Sequence, residues 1–371
     1  MKKILSLLLI LVLSISSFSI ASAQDNSKQR YLIEFTGQTD AKAVQNAGGT
    51  IRYQFTSIPV IAAELTEDAV LELENNPGVL YVEEDAEVIA LGQEIPWGID
   101  DVQATEAHQT GIQGQGIRIG VMDTGIDLEH EDISVAGGIS FVSGITGYDD
   151  DNGHGTHVAG IIAALNNTIG VIGTAPEASL YSIKVLNANG SGYYSDIIAG
   201  IEWGANNNID ILSMSFGGLV GSKALKKALV QAEKTGLLLI AAAGNSGGYG
   251  KLDTINYPAN YNSVIAVGAI DQNRQRTAFS SIGKDLELMA PGVSILSTIP
   301  GGYAAYNGTS MATPFVSGVA ALVWQQHPEL SNKDIREILN HSAVPLGDSF
   351  FYGNGEVNAV NALNYANTIN K

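Results

Sequence analysis

The stretch Gly308-Thr309-Ser310-Met311-Ala312-Thr313-Pro314, followed by the apolar run 315–323, decides the fold of this chain. The run is apolar on nearly every face, which predicts a helix buried on all sides. Pro314 is expected in the first turn, where a missing N–H has no intrahelical partner. Ser310 then lies at a helix N-terminus, where unpaired N–H groups and the helix dipole favour negative charge. A hydroxyl there can attack a carbonyl group and have the oxyanion stabilised, although an ordinary N-cap serine shows the same local pattern.

The composition indicates a globular, acidic protein that does not bind polyanions. Of its 371 residues, 45% are hydrophobic and 15% are charged, and the net charge is −19. This acidity argues against nucleic acid or an anionic membrane as a partner. The length allows one large domain with small appendages. Because the chain has no cysteine, a protein that works outside the cell needs something other than disulfides to stiffen its loops.

The N-terminus predicts a secretory signal peptide over residues 1–23. Two lysines precede the apolar run 4–20, and Ala21-Ser22-Ala23 supplies the small residues of a cleavage site. A membrane anchor is the alternative, but the run is short and interrupted by serines. We therefore expect a secreted, extracellular protein with no membrane anchor.

Residues 24–91 predict a small α+β unit of their own. Strand patterns at 30–35, 50–55, 60–65 and 79–82 enclose helical segments at 41–46 and 69–73. This βαββαβ order is ferredoxin-like, a fold that hosts many functions and indicates none by itself.

Residues 92–371 predict an α/β domain. Buried strand patterns at 117–122, 209–215, 237–243 and 264–267 alternate with helical patterns at 154–164, 195–207 and 222–235. Such alternation predicts a parallel sheet covered by helices on both faces, with a site at the carboxyl ends of the strands. Asp123 directly follows the first of these strands and precedes a glycine, so we expect it in that site.

Two histidines lie where a glycine-rich turn enters a helix, in His154-Gly155-Thr156-His157. A zinc protease helix needs histidines at i and i+4 with an intervening glutamate, and this segment has neither feature. We interpret His154 as functional and His157 as a structural residue of the core. The preceding acidic run Asp149-Asp150-Asp151 predicts a solvated turn rather than a cation site.

Three motifs now stand in the chain order Asp-His-Ser, which is the subtilisin order. Asp123-Thr124-Gly125, His154-Gly155-Thr156-His157 and the 308–314 segment resemble those of the subtilisin-like serine proteases of peptidase family S8. The resemblance covers essentially the whole chain and is closest to secreted bacillus-type subtilisins. It implies a parallel-sheet, three-layer catalytic domain at 92–371, preceded by a ferredoxin-like propeptide at 24–91.

Each motif residue has a chemical role in such an enzyme. His154 would take the proton that makes the Ser310 hydroxyl nucleophilic, and Asp123 would orient the imidazole and stabilise its protonated form. By resemblance, Asn245 and the Ser310 N–H would form the oxyanion hole. The implied activity is a serine endopeptidase of broad specificity that works through an acyl-enzyme.

Substrate contacts follow from the same resemblance. Gly190, Gly192 and the segment Ser215-Phe216-Gly217 would flank an extended peptide, main chain to main chain, a mode that accepts many sequences. By the same resemblance, the S1 pocket would lie between Ser215–Gly217 and Ala242–Gly244. Asn256 occupies a position at the base of this pocket where related enzymes often carry glycine, and it would narrow the pocket.

The junction at Leu91-Gly92 resembles the family's self-cleavage site. Cleavage there would place Leu91 at P1 and Val88 at P4, which favours large apolar substrate side chains. Residues 24–91 would then act as an intramolecular chaperone and inhibitor.

Structural calcium is the implied replacement for disulfides, since hard cations bind sets of oxygen ligands. By resemblance, the tight site would use the side chains of Gln93, Asp132 and Asn167 and the carbonyls of Leu165, Ile169 and Val171. A weaker cation site would involve Ala259, Tyr261, Val264 and Asp271.

Two alternatives stay open. An inactive, peptide-binding relative would need a broken triad, and a secreted metalloprotease would need the zinc helix that this sequence lacks. We expect a monomer whose partners are protein and peptide substrates and its own propeptide.

Overall fold

A computed structural model describes residues 28–86, 92–248, 250 and 252–369. The chain divides into two compact units, with the division after residue 90. The predicted signal peptide, together with Val88 and Leu91 of the predicted cleavage site, lies outside the described residues. No helix in the described ranges is both long enough and apolar enough to cross a membrane.

The N-terminal unit is a four-stranded antiparallel sheet with two helices, which confirms the predicted βαββαβ order. Its elements are β1 (Gln29–Phe35), α1 (Ala41–Asn46), β2 (Thr50–Gln54), β3 (Val60–Leu65), α2 (Glu67–Glu74) and β4 (Val79–Glu84). The strands lie in the order β2-β3-β1-β4. Thr66 caps α2 by accepting from the Ala69 N–H. Ile33, Ile61 and Leu65 are fully buried between sheet and helices and form the centre of this small core.

The second unit is built on a seven-stranded parallel sheet. Its strands are β5 (Arg118–Asp123), β6 (Val135–Ser140), β7 (Ser179–Lys184), β8 (Ile211–Met214), β9 (Leu238–Ala242), β10 (Ile265–Ile270) and β11 (Leu288–Pro291). They lie in the order β11-β10-β9-β8-β5-β7-β6, and every neighbouring pair is parallel. The central strands are continuous apolar runs, as expected for strands buried on both faces. An antiparallel hairpin follows, formed by β12 (Ile295–Ile299) and β13 (Gly302–Tyr306).

Helices cover both faces of this sheet, which confirms the three-layer prediction. They are α3 (Trp97–Asp101), α4 (Ala104–Gln109), α5 (His154–Ala163), α6 (Tyr194–Asn206), α7 (Lys223–Lys234), α8 (Thr309–Gln326), α9 (Asn332–Ser342), α10 (Ser349–Tyr352) and α11 (Ala359–Ala366). Helices α6 and α7 pack in one apolar core. Helices α5, α8, α9 and α11 pack in another core on the opposite face.

Helix α8 is buried on all sides, as predicted, but the predicted position of Pro314 is wrong. The helix begins at Thr309, so Pro314 is its sixth residue and lies beyond the first turn. A proline there removes one intrahelical hydrogen bond, because its nitrogen carries no hydrogen for the carbonyl four residues earlier.

The sequence patterns also missed strands β6, β7 and β11 and the β12–β13 hairpin. Strand β6 contains Gly137 and Gly138, which weaken any strand pattern. Strands β7, β11, β12 and β13 show no clear strand pattern in the sequence and are recognised only by their pairing with neighbouring strands in the structure.

Candidate active site

The predicted catalytic residues lie at the carboxyl edge of the sheet. Asp123 is the last residue of β5, and Asn245 follows β9. His154 begins α5, and Ser310 is the second residue of α8. A parallel sheet aligns the carboxyl ends of its strands, so residues far apart in sequence share one edge.

Asp123 and His154 form a direct hydrogen bond. Nδ1 of His154 lies 2.7 Å from Oδ1 of Asp123, and the Asp123 side chain is fully buried. The same oxygen accepts from the Thr124 N–H at 2.8 Å. Burial alone would lower the pKa of His154, but the charge and hydrogen bond of Asp123 raise it above its ordinary value of 6.5.

Asp150 holds the start of α5, and the predicted solvated turn is wrong for this residue. Its buried carboxylate accepts from the N–H groups of Asn152, Gly153 and Thr156. Burial raises its pKa, but these bonds and the Thr156 hydroxyl outweigh burial and lower the pKa below the usual range. Asp150 therefore fixes the turn that presents His154. No sequence motif separated it from its acidic neighbours.

Asp151 pairs with a lysine that the sequence analysis did not single out. Lys184, at the end of β7, is fully buried, and its Nζ lies 2.6 Å from Oδ1 of Asp151. The ammonium group also donates to the carbonyl of Thr124, next to Asp123. The buried ammonium group of Lys184 therefore stabilises the loop that follows β5, the strand that ends at Asp123.

His157 is structural, as predicted. It is fully buried, and Nε2 lies 3.0 Å from the carbonyl oxygens of both Ile295 and Ala304. Its ring stacks on Tyr306 at 4.3 Å. Burial lowers the pKa of His157 to about 4, so the ring is neutral at physiological pH.

Nδ2 of Asn245 and the backbone nitrogen of Ser310 lie near one point beside Gly308. A Cβ added to Gly308 would lie 3.4 Å from Nδ2 of Asn245 and 3.6 Å from the Ser310 nitrogen. Thr309 fixes the direction of the Asn245 amide, because its N–H and its hydroxyl both bond to Oδ1 of Asn245 at 3.0 Å. The amide nitrogen is therefore left to face that point.

The predicted substrate segments line one open cleft. A cavity of about 390 Å³ lies between the Gly190–Tyr194 segment and the Phe216–Gly218 segment. Its walls also include the apolar side chains of Tyr194, Ile197 and Tyr257, to which no sequence motif pointed. The structure thus brings Gly190, Gly192, Phe216 and Gly217 to the same cavity.

Asn256 fills the space between two glycines of the predicted S1 pocket. A Cβ on Gly217 would lie 2.9 Å from Cβ of Asn256, and one on Gly244 would lie 2.6 Å from its Cγ. The Asn256 side chain therefore occupies the volume that a glycine at position 256 would leave empty.

The six residues of the predicted tight calcium site form one cluster. Nε2 of Gln93 donates to the carbonyl oxygens of Leu165 and Val171, and Nδ2 of Asn167 donates to Oδ1 of Asp132. The Ile169 and Val171 N–H groups bond to Asn167 and Asp132, respectively. The set contains carbonyl and carboxylate oxygens, and the amides of Gln93 and Asn167 would add theirs after a rotation that exchanges nitrogen for oxygen. These oxygens are the donor chemistry that Ca²⁺ takes. Burial raises the pKa of Asp132, and a bound cation would oppose that effect.

The weaker predicted cation site is not assembled in the same way. Asp271 accepts from the N–H groups of Asn273 and Gln275 within its own turn. The carbonyl of Val264 accepts from the Arg336 guanidinium at 3.3 Å. The remaining two residues, Ala259 and Tyr261, are buried with Val264 in the core that contains α6 and α7. Within the described ranges, no group of three or more histidine and acidic side chains is placed to hold a metal ion.

The second unit is a three-layer α/β domain with a parallel sheet. One edge of the sheet carries a serine at the start of a buried helix and a hydrogen-bonded Asp–His pair, and this combination defines the class of serine hydrolases. Comparison with known proteins gives the family. Residues 114–355 match the Subtilase family, and residues 16–90 match Peptidase inhibitor I9. The chain belongs to the subtilase family and is a serine endopeptidase with an inhibitor-type propeptide.

Similarity to individual proteins extends over nearly the full length. The chain is 47% identical to subtilisin NAT of Bacillus subtilis subsp. natto over 363 residues, which is 95% of each chain. It is 47% identical to M-protease of Shouchella clausii over 360 residues, 92% of this chain and 93% of that protein. A thermostable alkaline protease of Halalkalibacterium halodurans is 46% identical over 341 residues, 91% of this chain and 93% of that protein.

Proposed function

We propose that the chain is a secreted endopeptidase that works through the triad Asp123, His154 and Ser310. The observation that carries this assignment is the 2.7 Å bond between His154 and the buried Asp123 carboxylate. It lies on the sheet edge where Nδ2 of Asn245 and the backbone nitrogen of Ser310 lie near one point beside Gly308. The buried carboxylate stabilises the imidazolium that forms when the histidine takes a proton.

The reaction has two acyl-transfer steps. The Ser310 hydroxyl leaves the Ser215 carbonyl to which it donates, and Nε2 of His154 takes its proton as Oγ bonds to the substrate carbonyl carbon. The oxyanion then accepts from Nδ2 of Asn245 and the Ser310 N–H. His154 gives the proton to the leaving amine as the C–N bond breaks. Water then repeats the sequence on the acyl-enzyme and frees Ser310.

The cleft supports an extended substrate with apolar side chains. Gly190 and Gly192 lie on one side of the cleft and Phe216 and Gly217 on the other, so an extended peptide would lie between two stretches of main chain. The carbonyl of Ser215 would join this pairing once the Ser310 hydroxyl that bonds to it turns to His154. The 390 Å³ cavity with its Tyr194 and Ile197 walls suits an apolar residue upstream of the cleaved bond. Asn256 shortens the S1 pocket, so leucine-sized residues fit better at P1 than the largest aromatic ones.

The propeptide proposal rests on the I9 match and on the junction sequence. Residues 24–91 act as folding aid and inhibitor, and the enzyme cuts itself between Leu91 and Gly92. The leader at 1–23 directs secretion, and the mature enzyme acts as a monomer on proteins and peptides.

Calcium is proposed as a structural ion at the Gln93–Val171 cluster. Gln93, Asp132 and Asn167 would hold it with their side chains, together with the carbonyls of Leu165, Ile169 and Val171. When bound, the ion would tie the start of the mature chain to the loop after α5 and stiffen both. The Ala259–Asp271 set is a weaker proposal, because Arg336 already supplies a positive charge to the Val264 carbonyl.

The test is the intact mass of purified, refolded residues 24–371, with Ser310→Ala in parallel, in calcium and without any other protease. We expect the wild type to lose residues 24–91 and the variant to stay whole. An uncut wild type would favour an inactive peptide-binding relative. Cleavage of both proteins would assign the chemistry to another nucleophile.

A further inference from the structure

Pro314 leaves the nucleophile's own carbonyl group without its helical partner. In α8 the N–H at position 314 would bond to the carbonyl of Ser310, four residues earlier. Proline carries no N–H, so this bond cannot form. A buried carbonyl without a donor is destabilising. Some other group therefore has to satisfy it.

The Ser215 hydroxyl takes that place. Oγ of Ser215 donates to the Ser310 carbonyl oxygen at 2.8 Å, and Ser215 is only 2% exposed. The exchange is reciprocal, because Oγ of Ser310 donates to the Ser215 carbonyl at 2.9 Å. Two hydrogen bonds thus join the first turn of α8 to the end of β8.

We infer that the Ser215 hydroxyl is a positioning residue, which replaces the helical bond missing at Pro314 and so fixes the backbone of Ser310. This inference rests on the proposed role of Ser310 as nucleophile. The same residue supplies the backbone N–H to the oxyanion hole, and catalysis depends on donors placed within a fraction of an ångström. A Ser310 carbonyl without a donor would turn towards another one, and the change in backbone dihedrals would shift the Cα that joins it to the N–H and to the hydroxyl of Ser310.

This role is separable from substrate binding. The proposed pairing of Ser215 with a peptide uses its main chain, which an alanine keeps. Loss of the hydroxyl should therefore lower kcat and leave KM nearly unchanged. Loss of a substrate contact would raise KM instead.

The experiment is a double-mutant cycle with Ser215→Ala and Pro314→Ala, read as kcat and KM on one peptide amide substrate. We expect Ser215→Ala to lower kcat by on the order of tenfold, with KM within about twofold of the wild type. Alanine at position 314 restores the N–H, so the double variant should recover most of the lost kcat. Pro314→Ala alone should remain close to the wild type.

Ser213→Ala is the matched control. Ser213 is also buried and also bonds to α8, through the hydroxyl of Ser317 at 3.0 Å, but it does not contact Ser310. We expect its kcat to match the wild type. Titration of active sites with an organophosphonate corrects every rate for the fraction of matured enzyme.

Two results would overturn the inference. One is a full kcat in Ser215→Ala. The other is a double variant as slow as Ser215→Ala, which would mean that the hydroxyl acts independently of Pro314. If Ser215→Ala fails to mature, the double variant must mature for the inference to stand. Residual activity in Ser310→Ala would instead contradict the proposed function, so the two failures are distinguishable.

Discussion

Nε of Arg274 lies 3.1 Å from Oε2 of Glu356, whose residue is only 1% exposed. Arg274 also pairs with Asp101 of α3, at 3.0 Å. One guanidinium thus lies between two acidic side chains and connects α3 to the C-terminal segment of the second unit. Burial, with a hydrogen bond and the negative charge of Asp101, raises the pKa of Glu356 to about 9, although Arg274 opposes the shift.

Glu356→Gln should therefore improve stability in alkali. The pKa of Glu356 is higher in the folded state than its ordinary 4.5, so its stabilising contribution is complete below pH 4.5. That contribution falls as the pH rises towards 9, by at most about 1.4 kcal/mol per pH unit. Glutamine cannot ionise and removes this slope. We expect similar Tm values near pH 5 and a higher Tm for the variant at pH 9.

The Tm values should be measured on matured enzyme inactivated with an organophosphonate, which prevents self-digestion. The exposed Glu337→Gln is the control for a general change in charge. Parallel Tm–pH curves for the wild type and Glu356→Gln would contradict the prediction.

Asp123→Asn should change both the rate and its pH dependence. Only neutral His154 accepts a proton, and Asp123 raises its pKa above 6.5, so kcat/KM of the wild type should fall as the pH drops through that raised value. Without the carboxylate, kcat should fall by roughly 10⁴-fold, and the midpoint of the acid limb should move to lower pH. The measurement is kcat/KM from pH 5 to 9. An unchanged midpoint would assign that limb to another group.

Asn256→Gly should redirect the P1 preference. Removing the side chain between Gly217 and Gly244 opens the base of the S1 pocket. We expect the ratio of kcat/KM for phenylalanine over alanine at P1 to rise by roughly 10- to 100-fold. The substrates should be peptide amides that differ only at P1. Asn262→Gly, which removes an exposed amide six residues later, is the control. Equal ratios in the wild type and Asn256→Gly would place the S1 pocket elsewhere.

Asp132→Asn should remove the calcium dependence of stability. A ligand that binds only the folded state raises Tm with its concentration. We therefore expect chelator to lower the Tm of inactivated wild-type enzyme but to have little effect on Asp132→Asn. Asp271→Asn, in the weaker cation set, should keep the wild-type response. If chelator lowers the Tm of Asp132→Asn as far as that of the wild type, the Gln93–Val171 cluster is not the calcium site.

The sequence predicted those parts of the structure that local chemistry encodes. Asp123 ends a strand, and His154 and Ser310 lie at the start of helices. Each of these boundaries needs a particular turn, and the glycines of those turns revealed the three residues in the sequence. Apolar runs revealed β5, β8, β9 and β10. The periodicity of α8 predicted its burial correctly, but it could not show where the helix begins. That boundary decided the role of Pro314.

The supporting residues could not be predicted, because each acts through a partner distant in sequence. Asp150 resembles its acidic neighbours until the turn before α5 folds around it. Lys184 reads as an ordinary strand-end lysine, and Glu356 as a surface glutamate. For Ser215, the hydroxyl matters only because β8 lies beside a helix with a proline at its sixth position. Pairings of this kind are set by strand order, which the local pattern does not contain.

That strand order has a kinetic consequence. Strand β5 lies between β7 and β8, and both of these follow it by many tens of residues. Most of the contacts that hold the sheet are therefore non-local, and parallel sheets of high contact order fold slowly. Until α8 is synthesised and docked, Asp123 and His154 have no nucleophile to serve. A nascent or half-folded chain therefore has no assembled triad, and the closing of this sheet sets the earliest moment at which the proposed self-cleavage can begin.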